Sequence, residues 1–114
     1  MDNEAYWQAL DQLISTCELV IDRPKDKPHP KYPALIYPLD YGYLKGTQSG
    51  DGAEVDCWIG SMPEHKLKAM VFTIDLVKRD MEGKLLLGCT RKEMQTVLQF
   101  HNNCTMMSAL LIER

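Results

Sequence analysis

The stretch YPLDYGYLKGTQSGDGAEVD, Tyr37 to Asp56, decides how this chain is read. Tyr37, Tyr41 and Tyr43 fall at the period of a strand running through Gly42. Gly46 to Gly52 makes a turn, and Glu54 to Ile59 returns as a second strand. Asp51 stands between Gly50 and Gly52, so its carboxylate is expected to be exposed. Glu54 and Asp56, two apart on that strand, are expected to share a face. Three acids so close to apolar Cys57, Trp58 and Ile59 are costly unless a cation neutralises them. Hard oxygen ligands favour Mg²⁺, Mn²⁺ or Ca²⁺ over zinc. The same residues also read as an ordinary Asp-Gly hairpin with solvated carboxylates. Tyrosine hydroxyls donate to anionic oxygens, which suits a phosphate site. An aromatic strand face is the other reading, and the one kept for Tyr43.

Working outward, residues 2–16 are expected to form a helix with Asp2 or Asn3 as N-cap. Tyr6, Leu10, Leu13 and Cys17 make its apolar stripe, widened by Trp7 and Ile14, to dock on a core or a second subunit. The segment RPKDKPHPKYP follows, and its prolines forbid a central strand or helix. Its Arg23, Lys25, Lys27 and Lys31 read as a solvated basic loop, with Lys31 set apart because the chain re-enters the fold at Tyr32. Downstream, Lys68 to Val77 reads as a long strand, DMEG as a turn, and Lys84 to Cys89 as the returning strand. Asp80, Glu82 and Lys84 lie at spacing two. On one strand face they mix metal-ligating carboxylates with a phosphate-binding ammonium; otherwise they are a charged hairpin tip. Thr90 opens a second helix through a capping box with Glu93. Met94, Val97, Leu98 and His101 line its inner face, and residues 105–114 fit either helix or strand. About five short strands with a helix at each end imply a mainly β fold, a small closed or partly closed barrel. The expected layout is one domain over residues 1–114: helix 2–16, barrel 18–89, helix 90–102.

Composition bounds the function. A chain of 114 residues buries roughly two-thirds of its unfolded surface, enough for one core. With 45% hydrophobic and 25% charged residues it is expected to be globular. A net charge of −3 argues against a nucleic-acid partner bound by neutralising phosphates. No apolar run reaches the length of a membrane span and the N-terminus does not read as a signal peptide, so a cytoplasmic location is expected. Cys17, Cys57, Cys89 and Cys104 lie far apart and are expected as reduced thiols. The leftover apolar surface of the first helix, with Met106 and Met107, is expected to support a homo-oligomer.

Together these clusters resemble the soluble (family I) inorganic pyrophosphatases. Tyr37 to Asp56 is similar to that family's Tyr-Pro-x-x-Tyr-Gly-Tyr strand followed by its acidic signature Asp-x-Asp-Pro-x-Asp. IDRPKDKPHPKY resembles the family's segment ending in Lys-Tyr, and DMEGK its late metal-binding loop, so the resemblance spans residues 19–101. It implies a five-stranded OB-type barrel and Mg²⁺-dependent hydrolysis of pyrophosphate, with Mn²⁺ as an alternative ion and a metal-activated water. It implies Asp51 and Asp56 as metal ligands at the catalytic centre, Asp80 and Glu82 as later metal-ligand acids, and Asp22 in place of a site glutamate. Lys31 and Lys84 match phosphate-binding lysines, and Tyr37 and Tyr41 match site tyrosines. The chain departs from the family too. The middle signature acid is Ala53, and loss of a positioned base costs ~10²–10⁴ in rate. The family's hairpin with its phosphate-binding arginine is missing between Tyr32 and Tyr37, which leaves Arg23 as a replacement. Glu54, where a proline is usual, is the candidate for part of the lost carboxylate function. The expected activity is therefore hydrolysis of pyrophosphate or a related phosphoanhydride. The alternative is a weakened or inactive relative that binds metal and a phosphorylated ligand.

Overall fold

Apolar side chains alternate along the strands of one sheet, and each face of that sheet is covered by a different helix. The computed structural model describes residues 3–114. In chain order the elements are α1 (Glu4–Ser15), β1 (Leu19–Arg23), β2 (Asp40–Leu44), β3 (Val55–Ile59), β4 (Leu67–Asp75), β5 (Asp80–Leu87), α2 (Arg91–Asn102) and β6 (Met107–Glu113). The strand order is β1-β2-β3-β5-β4-β6. Neighbours are antiparallel except β3 and β5, which run parallel with Cys57 beside Leu85 and Trp58 beside Leu86.

A period of two sorts the side chains between the faces. Tyr41, Trp58, Val71 and Leu86 pack with Met94 and Val97 of α2. Leu44, Cys57, Ile59, Leu85 and Leu87 pack with Trp7 of α1. The capping box of Thr90 and Glu93 is present, and the Glu93 carboxylate also accepts from the Ser61 amide after β3. Burial opposes its ionisation, but these bonds hold Glu93 below the usual carboxylate range. At the far end, Arg114 pairs with Asp11 and Glu4 and lies 5.8 Å from the centre of the Trp7 ring, tying the end of β6 to α1.

The mainly β architecture with flanking helices is as the sequence predicts, with two differences. The described residues form six strands, and the sheet does not close. The run Met107–Glu113 is a strand on the outer edge of β4, the edge that closure onto β1 would require. The turn between β4 and β5 is also not DMEG, which lies inside β5. The chain reverses at residues 76–79 instead, where Arg79 takes a φ of 61° and the Asp75 carboxylate accepts from the Val77 and Lys78 amides. Helix α1 starts at Glu4, and Asn3 makes no side-chain cap bond, while Asp2 lies outside the described residues. Trp7 is buried in the core, so it is not surface for a second subunit. The four cysteines are free thiols. Burial raises Cys57 and Cys89 to about 12, which makes them inert packing groups.

Strand β1 lies close against Gly42 of β2, where a Cβ would stand 1.9 Å from the carbonyl oxygen of Val20. Gly42→Ala is expected to force the pair apart and lower stability by about 1–3 kcal/mol, as read by urea unfolding.

Candidate functional site

The face that carries α2 runs on, beyond the helix, into a cluster of polar side chains. Three adjacent strands supply it: Tyr41 from β2, Asp56 from β3, and Glu82 and Lys84 from β5. Each is placed by strand alternation, Asp56 with buried Trp58 and Lys84 with buried Leu86. Lys84 is only 6% exposed, yet it carries a charge, and such a charge is tolerated only when paired. Its Nζ donates to Tyr41 Oη at 2.6 Å, to Asp56 Oδ2 at 3.3 Å, and to Glu82 Oε1. Tyr41 Oη in turn donates to Asp56 Oδ2 at 2.8 Å. Burial, and next the Asp56 carboxylate, push the Tyr41 phenol far above its ordinary value. It therefore stays a protonated donor.

A second row adjoins the first. The Arg23 guanidinium donates to Tyr37 Oη and lies 5.6 Å from the Tyr37 ring centre and 6.0 Å from that of Tyr41. Burial works against its charge, but the Tyr37 bond and nearby Asp22 raise its pKa above the ordinary value. The floor beneath both rows is aromatic. Tyr41 meets Trp58 edge-on at 4.7 Å, and Tyr37 and Trp58 both pack on Phe100. Trp58 Nε1 donates to His101 Nε2 at 3.1 Å. Burial, with the Lys84 charge adding to it, lowers His101 to about 4, so the imidazole is neutral near pH 7.

The hydrogen bonds of the other expected site residues go elsewhere, although Asp51 lies near enough to feel the Lys84 charge and Asp22 that of Arg23. Asp51 is exposed on the turn, where its carboxylate accepts from Ser49 Oγ at 2.6 Å and the Ala53 amide at 3.0 Å. The Ser49 bond is the main reason its pKa sits below the usual range. Glu54 precedes β3 and accepts from the Gly46 amide at 3.1 Å, so it does not join Asp56. Asp80 opens β5 opposite Asp75. Lys31 is exposed, and its contact is a backbone bond to His29 Nδ1 at 3.0 Å. Asp22 is exposed at the irregularity between Ile21 and Arg23. The sequence reading missed Trp58 and His101 as parts of the site. Their signal was the alternation of Trp58 with Asp56 and the inner-face position of His101, which read as packing.

Among the described residues no group of three or more His, Cys, Asp or Glu side chains is gathered around one point. Asp56 and Glu82 nevertheless present hard oxygens to the same Lys84 ammonium. Mg²⁺ commonly takes one or two carboxylates, several waters and substrate phosphate, and needs no all-protein cage. Two carboxylates of the network, Asp56 and Glu82, are of the kind such an ion takes.

Several solved structures share the architecture. The inorganic pyrophosphatase of Helicobacter pylori matches with a TM-score of 0.62 at 14% identity, over 84% of this chain and 83% of that one. The fold is that of the inorganic pyrophosphatases. An inorganic phosphatase from Anaplasma phagocytophilum matches at TM-score 0.58 and 15% identity, over 83% of this chain and 82% of its own. The inorganic pyrophosphatase of Neisseria gonorrhoeae gives 0.58 and 12%, over 85% and 75%. No protein-family model matches the sequence, and no curated protein matches it.

His101 makes this pyrophosphatase fold acid-sensitive. Its folded pKa lies near 4 and its ordinary value is 6.5, so the unfolded chain takes up the proton first as pH falls. Stability from this group is complete above pH 6.5 and is lost toward pH 4. Between pH 7 and 4.5 the loss is expected to be roughly 2–3 kcal/mol. His101→Gln keeps an acceptor for Trp58 but cannot titrate, so its denaturant midpoint is expected to fall less over that interval.

Proposed function

We propose that this chain hydrolyses inorganic pyrophosphate, or a related phosphoanhydride, to phosphate with Mg²⁺, Mn²⁺ being the alternative ion. The network of Tyr41, Asp56, Glu82 and Lys84 on an inorganic-pyrophosphatase fold carries the reading. A shared fold hosts many activities, so the site has to bear the weight.

Asp56 and Glu82 would hold the ion, with Asp51, Asp80 and Asp22 as further candidate ligands outside the network. When bound, the ion lowers the pKa of a water and offsets charge on the phosphoryl oxygens. The chain's own groups bind and orient the substrate. Lys84 and Arg23 supply cations, joined by Lys31 if its loop folds inward. Tyr41 and Tyr37 supply neutral donors, and Tyr41 keeps its proton because it is buried beside Asp56. Glu54 reaches a water only by giving up its bond to the Gly46 amide. With Ala53 at the middle signature position, turnover is expected to be slow, short of a positioned base by ~10²–10⁴.

A second reading has a specific observation behind it. Asp51 is turned onto Ser49 and Ala53, which favours a relative that binds metal and a phosphorylated ligand without turnover. Phosphate release from pyrophosphate with and without Mg²⁺ separates the two. Turnover in the natural chain that is abolished in Asp56→Asn is the expected result. Turnover in Ala53→Asp alone would identify a disabled relative. No release from either protein, and no change in melting temperature with Mg²⁺ and pyrophosphate, would defeat both readings.

Location and assembly follow the same reading. Among the described residues no helix is long and apolar enough to cross a membrane, and four free thiols fit a reducing compartment such as the cytoplasm. Ile74, Met81, Leu110 and Ile112 are exposed on one face of the sheet, which supports a homo-oligomer.

A further inference from the structure

Strand β6 forms one edge of the sheet, and its outward hydrogen-bonding groups are met unevenly. The Leu76 amide donates to the Met106 carbonyl and the Arg114 amide to that of Lys68, with Ile74 beside Ser108 and Phe72 beside Leu110. This register turns the even-numbered residues of β6 toward β4, so the odd-numbered ones direct their amides and carbonyls outward. The Met107 amide turns back to the Cys104 carbonyl. Asn102, at the end of α2, serves Ala109. Its side chain accepts from the Ala109 amide at 2.8 Å and donates to the Ala109 carbonyl at 3.3 Å, as a neighbouring strand would. Among the described residues nothing meets the outward backbone groups of Leu111 and Glu113.

Sheets usually guard such an edge with a charge, a proline or a bulge. The opposite edge has two of these, because β1 carries exposed Asp22 at its irregularity. From Met107 to Ile112, β6 has none. A row of alternate amides and carbonyls is satisfied by another strand, and a second β6 offers the same two free residues. With Ala109 occupied, one antiparallel two-fold register lets both copies use both. Leu111 then faces the partner's Glu113, and Ile112 faces the partner's Ile112. Exposed Leu110 and Ile112 lie along one side of that seam.

We propose that two copies of this chain join β6 to β6, antiparallel and centred on Ile112, into one continuous sheet, with Asn102 fixing the register. This rests on the homo-oligomer reading and names its seam.

Sedimentation velocity and cysteine cross-linking test it. The unaltered chain is expected to sediment as a dimer. In this register the two Ile112 Cα atoms stand about 4.5 Å apart, within the reach of a disulfide. The two Leu110 Cα atoms are then about 14 Å apart. With a mild oxidant, Ile112→Cys is expected to cross-link through position 112, as read by peptide mass. Leu110→Cys is expected to fail, although Leu110 is the more exposed at 57% against 41%. Glu113→Pro removes one outward amide and no bond to β4, so it is expected to weaken self-association roughly tenfold or more. All three variants change exposed positions, and the unaltered chain decides the first question without them. A monomer overturns the seam and the homo-oligomer reading together. A dimer that Glu113→Pro leaves intact, or that Leu110→Cys links as readily as Ile112→Cys, overturns the seam alone.

Discussion

A lysine ammonium withdrawn from water must find its partners in the protein, and the pairing of three strands around Lys84 meets that need. Its partners are Tyr41 on β2, Asp56 on β3 and Glu82 on its own strand β5. Asp56 lies beside it because β3 and β5 run parallel, with Cys57 next to Leu85. A parallel neighbour cannot be reached by a tight hairpin. The chain goes out through β4 and returns as β5, which slots between β3 and β4. The order β3-β5-β4 is thus also the arrangement that assembles the site. Losing one partner of a fully buried pair costs about 3–5 kcal/mol, because the other charge is left uncompensated; here the cost is smaller, since the Asp56 and Glu82 side chains are 33% and 28% exposed.

Below the ammonium the structure is buried and aromatic, which strengthens the polar contacts above it. Trp58 is fully buried, and its indole N–H is satisfied by His101. That bond requires a neutral acceptor nitrogen, and the nearby Lys84 charge favours the same state. The floor is therefore neutral while the surface above it is charged. Among the described residues no buried side-chain polar atom lacks a hydrogen-bond partner. A network satisfied to that degree holds its members in one geometry, which a binding site needs.

Much of this was legible from spacing. A period of two places Tyr41, Asp56 and Lys84 on strand faces, and the capping box marks the start of α2. What spacing does not carry is which strands become neighbours. The meeting of Asp56 and Lys84 depends on the parallel register. The misplaced turn has a local cause: DMEG holds a glycine and two acids, whereas Leu76 and Val77 look like strand residues although both are exposed. The tail MMSALLI, apolar at nearly every position, shows no period, so only the free edge of β4 makes it a strand. Glu54 and Asp56 were expected on one face, but β3 starts at Val55 and the Gly46 amide takes the Glu54 carboxylate.

The turn and the strands serve different ends. Asp51 accepts from Ser49 and Ala53, and the Ser49 amide bonds the Ala53 carbonyl. These contacts close the loop on itself, with no side chain required at position 53 beyond Cβ. Alanine at position 53 is thus sufficient for the turn. Asp56 and Lys84 stand differently, because each neutralises the other within the sheet. The charged pair therefore contributes to the joining of the strands, whereas the turn around Ala53 closes without it. The charged network and Ala53 can therefore coexist in one chain without either contradicting the other.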